Sequence, residues 1–102
     1  MERQPNTNVK GVAFNQATIG AVWEKGQVMS CADANEYRQD QCMVRIRKAS
    51  YGTTDDFGWE VDHIKPVAQG GTDVLTNLQP LHWRNNRGKG DNYPNWICTI
   101  VQ

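Results

Sequence analysis

Residues 58–91, GWEVDHIKPVAQGGTDVLTNLQPLHWRNNRGKGD, decide the fold of this chain. The stretch contains both histidines of the sequence, and one of them directly follows an aspartate. It begins with alternating apolar and acidic residues, is interrupted by proline and Gly-Gly, and ends in a run rich in asparagine, arginine and lysine. Titratable and metal-ligating side chains are therefore concentrated in one part of the sequence.

The start of this stretch predicts a β-strand with two unlike faces. Trp59 and Val61, followed by Ile64, are apolar and would hold the strand against a core. Glu60 and Asp62 point to the opposite face, because side chains alternate along a strand. We expect this acidic face to be free for chemistry.

The middle of the stretch is predicted to be an irregular loop, covering about residues 65–76. Pro66 cannot donate a hydrogen bond to a neighbouring strand, and Gly70-Gly71 interrupts any regular element. The loop therefore separates the first strand from the elements that follow.

The end of the stretch predicts a short strand from Leu78 that leads into a helix of about two turns. Gly88 and Gly90 are expected to end this helix. Trp83 and Asn86 are three residues apart and share one helical face. A packed Trp83 would therefore bring Asn86 towards the two strands.

Upstream of the stretch, a first helix is predicted after Asn15, a residue type that suits an N-cap. Ile19, Val22 and Trp23 recur at helical spacing, and Gly26 follows as a stop signal. The apolar side of this helix is expected to pack on the rest of the domain.

Three further elements are predicted from local patterns. Asp33 fits the N-cap of a short helix to about Arg38, with Glu36 completing a capping box. Residues 42–47 alternate apolar and polar side chains, which indicates a half-buried strand with its arginines outward. Residues 96–101 are mostly apolar and β-prone and predict a closing strand.

Length and composition indicate one small domain. Of the 102 residues, 1–10 are polar and are expected to form a flexible arm before a single domain at 11–102, with its motif core at about 57–92. Eleven basic residues balance eleven acidic ones, so a nucleic-acid site would have to be a local patch. The sequence has neither an apolar membrane span nor the apolar core of a signal peptide, so a cytoplasmic protein with no membrane partner is expected.

The three cysteines, Cys31, Cys42 and Cys98, are odd in number and widely spaced. This pattern disfavours a disulfide framework or a zinc knuckle and favours buried thiols in a reducing compartment. A mixed Cys/His zinc site would have to recruit ligands from distant segments.

The order of the pieces W-E-V-D-H-I-x-P, G-G-x-D, N-L-Q-x-L and N-x-x-K-G-D resembles the HNH, or ββα-metal, endonuclease motif. The resemblance covers roughly residues 57–92, with weaker similarity upstream to small stand-alone bacterial and phage HNH proteins, here of the type with Asn at the final motif position. The Asp-His, Asn and Asn-Arg-Gly-Lys pieces also look like the HNH domain of RNA-guided CRISPR nucleases. It implies an α+β fold with a ββα-metal (His-Me finger) core, additional N-terminal helices and short strands.

The resemblance also implies roles for individual residues. His63 would be the general base, Asp62 and Asn86 would hold a divalent metal ion, and Asn77 would brace the loop that positions His63. The chemistry is consistent with these roles, because a neutral imidazole accepts a proton from water near neutral pH. A carboxylate and an amide oxygen suit Mg²⁺ or Mn²⁺.

Two departures from the family pattern affect the expected metals. Asn86 occupies the position where many members have a histidine, so Mg²⁺ or Mn²⁺ is expected in preference to Zn²⁺ or Ni²⁺. The Cys pairs that hold a structural zinc ion in some relatives are missing, so no structural zinc is expected. Packing of Trp59 and Trp83 would have to provide the stability instead.

Basic residues near the motif are expected to contact DNA phosphates, giving affinity without sequence choice. They are Lys65, Arg84, Arg87 and Lys89 in the motif, and Arg45 and Arg47 upstream. Two roles are open for His82: it contacts phosphate or metal, or it is a packing residue at the junction of strand and helix.

The sequence thus predicts a metal-dependent DNA endonuclease with low sequence specificity, unless a protein partner supplies it. A water activated by His63 would attack the phosphorus, leaving 5′-phosphate and 3′-hydroxyl ends as the family implies. The alternatives are a non-catalytic DNA-binding or packaging accessory protein, a toxin nuclease, and cleavage of RNA. Oligomeric state, target site and a phage, restriction or mobile-element context are not indicated.

Overall fold

Two helices and two small antiparallel sheets make up the fold, in a computed structural model that describes residues 3–101. The elements are α1 (Gln16–Trp23), β1 (Tyr37–Gln39), β2 (Arg45–Arg47), β3 (Trp59–His63), β4 (Leu78–His82) and α2 (Trp83–Lys89). Strands β1 and β2 form one hairpin, and β3 and β4 form the other. The α+β class is confirmed, with a β3–β4–α2 core and one N-terminal helix.

The β3–β4 hairpin is the platform for the chemistry. Its register pairs Asp62 with Gln79 and Val61 with Pro80. Proline has no N–H to donate, and the N–H of Val61 points away from β4 to the Asn6 Oδ1 atom at 2.8 Å. Pro80 is therefore accommodated without loss of a strand hydrogen bond.

Helix α1 begins where its cap predicts. The Asn15 side chain accepts a hydrogen bond from the Thr18 N–H at 2.8 Å. The buried face of α1 supplies Trp23, whose ring lies 5.4 Å from that of Trp59 between centroids. The core joins these residues with aliphatic side chains from all parts of the fold: Ile19, Val22, Ile46, Val61 and Leu78.

The acidic face of β3 differs from the prediction. All five residues of β3 are buried, and Glu60 and Asp62 have only 1% and 5% of their surface exposed. Helix α2 contacts this strand and donates hydrogen bonds to both carboxylates. The two acids are therefore held by the helix and are not free on an open surface.

The predicted helix at Asp33 is wrong. Its carboxylate accepts the N–H of Asn35, and its carbonyl accepts those of Glu36 and Tyr37. These bonds complete a single turn, after which the chain extends into β1, with Tyr37 opposite Arg47. A side chain that caps a helix also stabilises a turn, so this local signal does not separate the two structures.

The strand predictions at residues 42–47 and 96–101 also need correction. Strand β2 contains only Arg45–Arg47, and residues 91–101 form no strand. The terminal segment instead packs on α2, where the Ile100 N–H donates to Asn85 Oδ1 at 2.9 Å. Gly88 does not end α2 as predicted but lies inside it, and a Cβ at this position would stand 1.8 Å from Thr99 Oγ1. Gly90 follows the last helical residue, as predicted.

The prediction of three buried thiols is wrong. Cys42 and Cys98 form a disulfide with 6.0 Å between their Cα atoms, and Cys31 is free and exposed. The pairing escaped prediction because the partners are 56 residues apart, and only the fold brings the terminal segment beside the loop before β2.

Replacing both bonded cysteines, Cys42→Ser and Cys98→Ser, is expected to lower the free energy of unfolding by about 2–4 kcal/mol. The crosslink closes a long loop and so restricts the unfolded chain. Denaturant unfolding of the double variant measures the change, and Cys31→Ser is the control because Cys31 is free. Equal midpoints for double variant and wild type would contradict a stabilising crosslink.

The N-terminal segment lies against the hairpin. Asn6 bonds β3, Thr7 pairs with Ala13, and the Val9 N–H donates to the Asp73 carboxylate. Of the expected flexible arm, residues 1 and 2 lie outside the described residues, and its mobility stays a prediction.

Among residues 3–101, neither helix is long and apolar enough to cross a membrane.

Candidate active site

A cleft of about 830 Å³ lies between β3, α2 and the N-terminal segment. Three of the residues predicted to form the site, Asp62, His63 and Asn86, line it together. The hairpin supplies the first two from the end of β3, and α2 returns the third. The cleft is open to solvent.

Asp62 is held from two sides. Its Oδ2 atom accepts from Gln79 Nε2 at 3.0 Å, and its Oδ1 atom accepts from Lys89 Nζ at 3.2 Å. Burial raises the pKa of the Asp62 carboxyl, and the hydrogen bond from Gln79 and the charge of Lys89 oppose that rise.

Asn86 is oriented by Glu60. The Asn86 Nδ2 atom donates to Glu60 Oε1 at 2.9 Å, while Arg87 donates to Glu60 Oε2 at 2.8 Å. Because Nδ2 is used in this way, the other end of the amide, Oδ1, is available as an oxygen ligand. This role of Glu60 was not predicted from the sequence, although the alternation with Asp62 places both acids on one face of β3.

His63 has 9% of its surface exposed and contacts Asp73 from the loop. The His63 Nε2 atom lies 2.8 Å from Asp73 Oδ1, and the ring packs near Phe14 with 5.8 Å between centroids. Asp73 is the last residue of the G-G-x-D piece of the motif, but no role was predicted for it, because no periodic pattern in the loop marks which of its residues turns back to β3.

Asn77 joins the two ends of the loop. Its Oδ1 atom accepts the Lys65 N–H at 2.8 Å, and its Nδ2 atom donates to the carbonyls of Lys65 and Thr72. The same crossing explains Gly71, where a Cβ would stand 1.7 Å from the Lys65 carbonyl oxygen. Asn77 therefore fixes the loop that follows His63, without itself lining the cleft.

The predicted phosphate contact of Lys89 is not supported, because Lys89 is 1% exposed. Its ammonium group donates to Asp62 Oδ1 and, at 3.0 Å, to the His63 carbonyl. The basic pattern at the end of α2 did not reveal this inward orientation. Lys89 is an internal cation that ties α2 to the end of β3.

The other five predicted phosphate contacts are exposed, and four of them form two clusters. Arg84 and Arg87 lie over the Trp83 ring, at 5.0 and 5.3 Å from its centroid. Arg45 and Arg47 flank Tyr37 on the other hairpin, and Lys65 is exposed at the start of the loop. Only the first cluster shares a helix with Asn86.

His82 is placed as a packing and capping residue. It is 2% exposed, and its Nδ1 atom accepts the Arg84 N–H at the start of α2. The Asp56 carbonyl lies 2.9 Å from Nε2 and can only accept, so Nε2 carries the proton. Both ring nitrogens are occupied, which leaves neither for a phosphate or a metal ion.

The donor atoms in the cleft fit a hard divalent cation. Asp62 and Asn86 offer a carboxylate and an amide oxygen, the ligands that Mg²⁺ and Mn²⁺ prefer. Within residues 3–101 no group of three His, Cys, Asp or Glu side chains could hold a metal ion. Water and phosphate oxygens would therefore complete the coordination, as is usual for Mg²⁺.

Comparison with known proteins shows similarity to one family. A family model described as HNH endonuclease matches residues 52–92, which include β3, the loop, β4 and α2. A search of curated proteins and a search of solved structures found no match.

Proposed function

We propose, from the premise that residues 52–92 belong to the HNH endonuclease family, that the chain hydrolyses DNA phosphodiester bonds with the help of a divalent metal ion. The observation that carries the proposal is the convergence of Asp62, His63 and Asn86 on one cleft. Family members of this kind are nucleases that act on DNA and generally use a divalent metal.

In the proposed reaction His63 takes a proton from the attacking water as general base. Asp62 and Asn86 would hold the metal ion, and Asn77 keeps the following loop closed. A bound divalent ion supplies Lewis-acid stabilisation of the negative charge that develops on the phosphate. Glu60 and Gln79 act behind these groups, since each hydrogen-bonds one of the two proposed ligands.

DNA is proposed to approach along α2, where Arg84 and Arg87 are exposed over Trp83. Arg45, Arg47 and Lys65 are proposed as additional phosphate contacts. Such contacts bind the backbone and carry no base information, which supports low sequence specificity unless a protein partner supplies it.

A plasmid-nicking assay in Mg²⁺, Mn²⁺, Zn²⁺ or Ni²⁺, each with and without EDTA, tests the proposal. Conversion of supercoiled to open-circular or linear DNA is expected in Mg²⁺ or Mn²⁺ and should stop with EDTA. A parallel assay with RNA reports the preferred nucleic acid. Cleavage that is unaffected by EDTA would contradict metal dependence.

One observation favours a second candidate, a non-catalytic DNA-binding accessory protein. Both Asp62 oxygens already accept hydrogen bonds from protein donors, and one donor is the Lys89 ammonium. Such a protein would bind DNA with a strong salt dependence but would not cut it in any of the metals.

Arg84→Ala is expected to weaken DNA binding about equally for different sequences and to reduce the slope of log affinity against log salt by about 1. Arg84 is exposed and has no ion-pair partner among the described residues. Fluorescence anisotropy at several salt concentrations measures the slope. Lys10→Ala is the control, since exposed Lys10 lies outside both arginine clusters. An unchanged slope for Arg84→Ala would exclude a phosphate contact.

A further inference from the structure

The contact between His63 and Asp73 determines which ring nitrogen of His63 stays accessible to solvent. Nε2 is bonded to the carboxylate at 2.8 Å. Nδ1 forms no hydrogen bond with any described residue. Every buried side-chain nitrogen or oxygen among residues 3–101 does have a hydrogen-bond partner, so Nδ1 is not a buried atom. Nδ1 is therefore the nitrogen that solvent reaches.

An ionised carboxylate can only accept hydrogen bonds, so Nε2 of the neutral ring must carry the proton. Nδ1 then presents its lone pair to solvent, as a base that takes a proton from water requires. After Nδ1 takes a proton from water, the ring is positively charged, and the Nε2–H remains directed at the Asp73 carboxylate. The same contact thus favours the tautomer of the neutral ring that leaves Nδ1 free to act as a base.

Asp73 is itself held in place by the N-terminal segment. The Val9 N–H lies 3.2 Å from each of its carboxylate oxygens. Asn6 anchors the same segment to β3 through the Val61 N–H. Two separate contacts therefore connect residues 6–9 to the immediate surroundings of His63.

We infer that Asp73 is a positioning residue that selects the Nε2–H tautomer of His63, with the N-terminal segment holding the Asp73 carboxylate in register. The inference rests on the proposed role of His63 as general base. The site then includes the Asp73 side chain of the loop and the N-terminal segment that holds it. The motif assigns neither of them a role in the reaction.

Asp73→Ala and Asp73→Asn are expected to lower kcat for plasmid cleavage on the order of 10²-fold with little change in KM, because the base is misoriented while DNA contacts remain. Asp73→Glu, which keeps the carboxylate, is expected to recover part of the loss. Thermal melts show whether each variant is folded. If Asp73→Ala does not fold, Asp73→Asn, whose side chain is close in shape to aspartate, provides the test.

A ¹⁵N spectrum of the histidine side chains in mildly alkaline buffer tests the tautomer without substrate. The wild-type ring of His63 should carry its proton on Nε2, and the proportion should change in Asp73→Ala; comparison with His82→Asn assigns the signals. A proton on Nδ1 in the wild type, or unchanged or faster cleavage by both Asp73→Ala and Asp73→Asn, would overturn the inference. If the wild type cuts no DNA, the proposed function fails, while the spectrum still decides the role of Asp73.

Discussion

His63→Ala is expected to cleave plasmid DNA on the order of 10³-fold more slowly than the wild type, since general-base catalysis contributes about 10²–10⁴-fold. The adjacent Asp62 carboxylate is not expected to replace it, because both of its oxygens accept hydrogen bonds from Lys89 and Gln79. The variant should remain folded, because His63 lies at the end of β3 and is not a member of the hydrophobic core. Initial rates at saturating DNA and metal ion measure the loss.

His82→Asn is the matched control for the loss of a histidine. Asparagine preserves the capping acceptor for the Arg84 N–H but removes the contact with the Asp56 carbonyl. We expect a lower melting temperature with cleavage per folded molecule close to that of the wild type. If His63→Ala cleaves DNA as fast as the wild type, His63 is not the general base, whatever the behaviour of this control.

Lys89→Met is expected to lower the free energy of unfolding by about 3–5 kcal/mol, the usual cost of removing one partner of a buried ion pair. Methionine nearly preserves the side-chain volume, but it leaves the Asp62 carboxylate and the His63 carbonyl without their donor. Both members of the pair are almost fully buried, at 1% and 5% exposure, so water replaces the lost ammonium group only in part. Denaturant unfolding in EDTA measures the change.

Two further variants distinguish the effect of breaking the buried ion pair from the effect of losing any lysine. Lys10→Met removes an exposed lysine and should change the unfolding free energy by less than about 0.5 kcal/mol. The double variant Asp62→Asn with Lys89→Met should be more stable than Lys89→Met alone, because the unpaired buried charge is gone. Equal stability of Lys89→Met and Lys10→Met would show that the buried pair contributes nothing.

Local signals in the sequence were sufficient for several elements. The Asn15 cap and the apolar spacing of Ile19 and Trp23 predict α1, and the alternation from Trp59 predicts β3. These signals succeed because capping and periodicity involve residues a few positions apart. They fail at Asp33, where the same kind of side-chain bond stabilises a turn.

The partners of the candidate site's residues could not be predicted in the same way. Asp73 meets His63 across an irregular loop, and Lys89 meets Asp62 across the hairpin–helix junction. The Cys42–Cys98 pair joins segments even farther apart. Each contact depends on how separate elements pack, and sequence spacing alone does not specify that packing.

By itself, the sequence determined the order of strand, loop, strand and helix, and which polar residues stand at the end of each element. These are properties of periodicity, caps and breakers. Only the tertiary structure decided that Lys89 turns inward, that Glu60 orients Asn86 and that Asp73 occupies one nitrogen of His63. The physical reason is that a buried polar group must find its partner among whatever groups the fold places nearby.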